Sequence, residues 1–155
     1  MDSKRVALFT LGVYARSASP AQIDDFANTF AEFVSAVVQH DIAGNPGQTL
    51  TVTGSVVRGP DDVIVSAKLT GSARANGAPI DMGFRIRRDD NGADTVVDLQ
   101  VQGVSMALAQ RSDFTAWLQQ HHGNLPALTA ELASRAKQFR EIDAPAPAAT
   151  TASAR

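Results

Sequence analysis

Four stretches in the middle of the chain alternate apolar and polar residues with a period of two. Leu50, Val52, Gly54 and Val56 share one side of the first, opposite Thr49, Thr51, Thr53 and Ser55. Val63, Val65, Ala67 and Leu69 do the same in the second, then Ile80, Met82, Phe84 and Ile86, then Val97, Leu99 and Val101. Their opposite sides carry Ser66, Lys68 and Thr70, then Asp81, Arg85 and Arg87, then Asp98, Gln100 and Gln102. Alternation over this length marks half-buried strands. The connections are turn-rich, at Gly59-Pro60-Asp61-Asp62, from Gly71 to Pro79, and at Asp89-Asp90-Asn91-Gly92. The pattern predicts a four-stranded antiparallel meander with one face buried.

Helical periodicity flanks the strands. Ser3 to Arg16 places Val6, Phe9, Val13 and Tyr14 on one face, with Gly12 as a weak point. Ser19 is placed to cap a second helix. Pro20 stands at its first position, Gln22 completes a capping box, and Asp24 and Asp25 suit the helix dipole. Ile23, Phe26, Phe30, Phe33, Val34 and Val37 form its stripe, which runs to about His40. After the strands, a helix through Phe114, Trp117 and Leu118 stops at Gly123. Asn124 caps another with Leu125, Leu128, Leu132 and Phe139 on one side. Residues 143–155 are rich in Ala and Pro and have too little apolar surface to offset the entropy of ordering, so a disordered tail is expected there. The prediction is a single α+β domain over residues 1–142. Its helices lie on one face of a curved antiparallel sheet, an arrangement that often encloses a ligand cavity.

Composition narrows the functional classes. At 155 residues with 44% hydrophobic content the chain can bury a core. A net charge of −2 gives no broad nucleic-acid footprint. The absence of cysteine excludes disulfides, Cys-ligated zinc and thiol catalysis. No apolar run is long enough to span a bilayer. Val6 to Val13 is too short for a signal peptide and lacks a cleavage pattern, so the expectation is either a cytoplasmic protein or one whose targeting segment has been removed.

Candidate chemistry is sparse. Between Gly103 and Phe114 a strand rhythm gives way to a helical one with Ser105 at the hinge. Gly-Val-Ser-Met-Ala lacks the second glycine of a nucleophile elbow. The alternatives for Ser105 are a nucleophile or a helix cap, and the cap is favoured. His121 and His122 are adjacent and diverge on a helix, and His40 is the only other histidine, so a solvated helix end is favoured over a metal site. Asp98 reads either as the partner of Arg85 or Arg87 across strands, which is favoured, or as a general acid in a pocket. The run Arg85-Ile86-Arg87-Arg88 is an anion contact or, more often, a solvated edge.

These pieces, in their order, resemble the MlaC / toluene-tolerance family of periplasmic phospholipid-binding proteins. The matching segments are Leu11-Gly12-x-Tyr14, Ala18-Ser19-Pro20-Ala21-Gln22, Phe26-x-x-x-Phe30 and Gly47-Gln48-Thr49. The most specific is Asp98 with Gly103-Val104-Ser105, followed by Arg111-Ser112-x-Phe114. The resemblance spans roughly Asp2 to Phe139. It implies a nuclear-transport-factor-like, cystatin-like fold, with no catalytic residues, metal or cofactor. It further implies a soluble periplasmic carrier that shuttles phospholipid between an outer-membrane lipoprotein complex and an inner-membrane ABC transporter, maintaining outer-membrane lipid asymmetry. The chain departs from the family at Gln102, which is usually Glu, and at Val37, Val38 and Pro46, where the family often carries aromatics. A signal peptide and further N-terminal helices are expected from the family and do not precede Met1.

The implied acyl-chain lining takes Val6, Phe9 and Val13 from the first helix and Phe26, Phe30, Phe33 and Val37 from the second. The strands supply Val52, Val65, Leu69, Met82, Phe84, Leu99 and Val101, and the segment after the hinge supplies Met106, Phe114 and Trp117. For each residue the competing reading is plain core. Two other functions compete: a small enzyme on the same scaffold using Asp98 as acid/base, and a structural or dimerisation module with a solid core.

Overall fold

A computed structural model describes residues 3–72, 76–89 and 91–143. Helix α1 (Ser3–Leu11) runs into a short 3-10 turn (Gly12–Arg16) and then α2 (Pro20–Ala43). Strands β1 (Thr49–Gly59), β2 (Asp62–Thr70), β3 (Ile80–Arg88), β4 (Asp94–Val101) and β5 (Val104–Ser105) follow, and α3 (Met106–Gln120) and α4 (Leu125–Asp143) complete the chain. The sheet is one antiparallel meander in the order β1-β2-β3-β4-β5. It thus has five strands rather than four. The expected boundary at 142 falls one residue short of the end of α4. Residues 144–155 of the expected tail, residues 73–75 of the Gly71–Pro79 connection and Asp90 lie outside the described residues.

Local chemistry accounts for the helix ends. Gln22 donates its backbone N–H to Ser19 Oγ at 3.2 Å, and Ser19 donates its own N–H to Gln22 Oε1 at 2.9 Å. This is the capping box expected from the sequence. Asn124 Oδ1 accepts the Ala127 N–H at 3.1 Å and caps α4. The first helix is the exception, because Gly12 takes φ +56 and ends α1 at Leu11. The helix therefore turns its stripe by one position. Val6, Ala7, Thr10 and Leu11 are buried, whereas Phe9 is exposed and Val13 is 63% exposed.

The main hydrophobic cluster is built by helices. Val6, Ala7 and Leu11 of α1 pack with Phe26, Ala27 and Phe30 of α2, Phe114 and Leu118 of α3, and Leu125, Leu128 and Leu132 of α4. Phe114 stands edge-on to Phe26 and Phe30, with centroids 5.7 and 5.8 Å apart. That is the preferred geometry for the ring quadrupoles. Among the described residues no strand residue joins this cluster. The sheet is attached through β4 and β5, which lie against α1 and α3.

Two bulges rearrange the faces of the sheet. Arg85 faces Asp98 and Ile86 faces Val96, so Val97 is an extra residue in β4. It joins Asp98 on the opposite side from Leu99 and Val101. In β1, Val52 faces Ala67 and Gly54 faces Ser66, so Thr53 is extra. Beyond it Val57 lies opposite Val63, while Val56 moves to the other face with Ile64. The expected sides for Val97 and Val56 are therefore reversed, because each inserted residue shifts the period-two pattern by one.

Candidate functional site

The sheet presents two unlike faces. The first is a continuous apolar surface in the central strands. Cross-strand register joins Val63, Ile86 and Val96 in one row, Val65, Phe84 and Leu99 in the next, and Ala67, Met82 and Val101 in a third. Leu69 and Ile80 extend it. These side chains are half-buried, apart from the fully buried Ala67. Among the described residues none of the helices packs across this face as a layer. Its outer edge, β1, is exposed, with Val52 at 66% and Val57 at 75%.

The second face looks toward α1 and the start of α3 and carries the polar residues. A cleft of about 460 Å³ lies there, between Arg5, Val6 and Phe9 of α1 and Arg85, Arg87, Val97, Asp98 and Gln100 of the sheet. Ser105, Ala107 and Leu108 close one side. Gln100 lies over Gly83, where a Cβ would stand 3.1 Å from its Oε1. The helices do take one face of the sheet, as expected, but it is the polar one.

Electrostatics in the cleft is largely settled internally. Arg85 donates from Nε to Asp62 Oδ1 at 3.0 Å and from Nη2 to Oδ2, a bidentate pair. That pair holds the Asp62 carboxyl below its usual range and raises the Arg85 guanidinium, chiefly through the hydrogen bonds themselves. Asp98 is the Cα partner of Arg85, yet its Oδ1 accepts the backbone N–H of Ala107 at 3.0 Å. The cross-strand ion pair expected for Asp98 is replaced by an anchor for the first turn of α3, where a carboxylate meets free N–H groups and the positive end of the helix dipole. Ser105 Oγ accepts the Leu108 N–H at 3.1 Å and is the N-cap.

The hinge itself differs from the expected strand-to-helix turn. Gln102 (φ +51) and Gly103 (φ +79) form a two-residue hairpin that pairs Val101 with Val104. Positive φ at both positions is the signature of a type I′ turn. Asn-Gly is the usual signal for this turn, and Gln-Gly hides it, so the sequence pattern does not mark β5. Gln102, the departure from the family pattern, sits at the exposed tip.

The expected lining set divides among several places. Val6 and Phe9 border the cleft, Val6 also reaching the helical core, and Val13 points outward. Phe26, Phe30 and Phe114 are buried among helices, with Phe33 and Trp117 packed at their margin. Trp117 stacks on His121 at 3.7 Å. Val37 and Met106 are half-buried on α2 and at the start of α3. Val65, Leu69, Met82, Phe84, Leu99 and Val101 share the apolar sheet face, and Val52 is at its exposed edge. Among the described residues no group of acidic or histidine side chains could hold a metal ion. His40 instead pairs with Asp143 at 2.9 Å.

The motif residues act as scaffolding. A Cβ on Gly12 would stand 3.2 Å from Arg111 Nε, and the Arg111 guanidinium lies 5.1 Å from the centre of the Phe9 ring. Two distant motifs thus meet where Arg111 lies over Gly12, and Arg111 makes a cation–π contact with the neighbouring Phe9. Tyr14 lies against Gly123 in the same way. Such residues place α1 and α3 on the sheet and leave the apolar face to the strands.

An antiparallel meander attached to a helical cluster defines an α+β protein with an open sheet. The same fold occurs in a phospholipid-binding protein from Ralstonia solanacearum, solved in complex with a phospholipid. The TM-score is 0.71 at 21% identity, over 89% of this chain and 74% of that one. The family model for the MlaC protein matches residues 1–134, and the chain belongs to that family. No curated protein matches the chain.

Proposed function

We propose that this protein is a phospholipid carrier, and that acyl chains lie on the sheet face made by Val65, Leu69, Met82, Phe84, Leu99 and Val101. The observation that carries the reading is a broad apolar face without a helix layer over it among the described residues, whose helices bury their own stripes together. Membership of the MlaC family and the phospholipid held by the Ralstonia protein support it.

The energetics suit exchange. Burying a methylene is worth about 0.8 kcal/mol, in a protein groove as in a bilayer. A surface that shields acyl chains nearly as well as a membrane does can therefore take up and release lipid without a large net cost. We place the protein in the periplasm, passing lipid between an outer-membrane lipoprotein complex and an inner-membrane ABC transporter. None of the described helices is long and apolar enough to cross a membrane. The role is one of binding and transport rather than catalysis. Asp98 and Ser105, the two candidates for chemistry, are both engaged in starting α3.

Native purification, organic extraction and mass spectrometry test the proposal. Co-purified phospholipid, and uptake of labelled phospholipid from vesicles by the stripped protein, are expected. Protein that repeatedly carries no lipid and takes none from vesicles would overturn the carrier reading.

A further inference from the structure

The sheet ends in two unlike edges. β5 is two residues long and passes directly into α3. β1 is 11 residues long, and every residue from Thr49 to Arg58 is exposed. It pairs with β2 on one side, and among the described residues no strand pairs with the other. Such an edge offers a row of backbone N–H and C=O groups to another strand. Folded proteins blunt long edges with proline, lysine, inward-pointing charge or a bulge. β1 has no proline, lysine or acidic residue, and its one charge, Arg58, stands near its end. From Thr49 to Val57 the single device of this kind is the bulge at Thr53.

That bulge selects a partner. A regular strand laid along this edge loses its facing at Thr53, because the extra residue moves every later side chain to the other face. A second copy of the chain carries the same extra residue. Laid antiparallel, with Thr53 of each strand opposite Gly54 of the other, the two bulges coincide and the faces stay matched. Leu50 then faces the second copy's Val57 and Val52 faces its Ser55, all four on the apolar side, while Thr51 faces its Val56 on the other side. Gly54 has open space where a Cβ would stand, so no neighbour obstructs the crossing. The two Arg58 side chains fall at opposite ends of the pair. We propose that β1 pairs antiparallel with β1 of a second copy, about a two-fold axis between Thr53 and Gly54, and joins two meanders into one continuous sheet. The assembly closes at two chains, because its outer edges are then the short β5 strands. The pairing sets the two apolar faces side by side, yet it rests on the edge alone and not on the carrier reading.

Sedimentation velocity over a dilution series tests the assignment, and a dimer is expected at about 0.1 mM. Two double variants place like charges across the pair: Thr51→Lys with Val56→Lys, and Thr51→Glu with Val56→Glu. Each alone should dissociate about tenfold more readily than wild type, and mixing the two should restore a dimer. Phospholipid uptake should survive in both, because Thr51 and Val56 lie on the side away from the apolar face. Loss of the pairing and loss of the carrier function are therefore distinguishable. Spin labels on Thr51→Cys and Thr49→Cys, in a chain without other cysteines, give the direction and register. The antiparallel register places the two Thr51 positions roughly 17 Å apart and the two Thr49 positions roughly 30 Å apart, whereas parallel pairing gives about 5 Å at both. A wild type that is monomeric at about 0.1 mM would overturn the proposal and leave the edge to a strand of a different protein. So would a dimer that both charge variants form as readily as wild type. Should either charge variant lose its cooperative melt, the label distances decide alone: equal separations at Thr49 and Thr51 refute the pairing.

Discussion

Replacing Phe84 by alanine separates a ligand wall from a core, and Phe114 is its control. Phe114 is 5% exposed and wedged edge-on between Phe26 and Phe30. Truncating such a ring costs about 3–5 kcal/mol through lost transfer energy and the cavity left behind. Against a domain stability of roughly 5–15 kcal/mol, that is a fifth or more of the total. Phe84 lies between Val65 and Leu99 and is only half-buried, with no helix layer above it. In lipid-free protein its loss should cost about 1–2 kcal/mol, below the Phe114 value. The missing energy should reappear in lipid binding. If the ring covers about two acyl methylenes, its removal costs about 1.6 kcal/mol of affinity, or more than tenfold. Urea unfolding of the stripped protein, followed by circular dichroism and the fluorescence of Trp117, measures the first quantity. Uptake of labelled phospholipid from vesicles measures the second. A Phe84→Ala variant that is as destabilised as Phe114→Ala, yet takes up lipid like wild type, would refute the assignment of this face to the ligand.

Two other outcomes follow from the polar contacts. Ser105→Ala removes an N-cap and should cost about 1 kcal/mol, seen as a lower melting temperature, with lipid uptake unchanged. Ester hydrolysis that depended on Ser105 would contradict its role as a cap alone. The Asp62 carboxyl is held below its usual range by Arg85, so the stability it contributes is present above the unfolded pKa of about 3.9 and is lost as pH falls through the lower folded value. Since Arg85 is partly exposed, solvent screening limits that contribution to under about 1 kcal/mol. Asp62→Asn should therefore lie a constant small step below wild type from pH 7 to about pH 5 and converge with it in more acid solution. Convergence between pH 7 and pH 5, in melts across the range, would contradict this assignment.

Local sequence determined much of this protein, because the physics involved is local. The Ser19–Gln22 capping box, the Asn124 cap, the Phe26–Phe30 stripe and the antiparallel meander all depend on residues a few positions apart. The family resemblance was legible for the same reason, since its motif residues cap helices, turn chains and pack α1 against α3. Which face each element presents is a different kind of fact. A single extra residue at Thr53 or Val97 reverses everything beyond it, and a bulge has no compositional mark. The Gln102-Gly103 hairpin depends on two residues accepting positive φ, which the residue before the glycine does not announce. Periodicity identified apolar stripes on helices and strands alike and led to the expectation that they would meet around one cavity. Only the tertiary structure decided that the helical stripes close on one another, that the polar side of the sheet faces the helices, and that its apolar side carries no helix layer among the described residues. Burial free energy depends on area and not on partner, so a stripe states that it will be covered without stating by what.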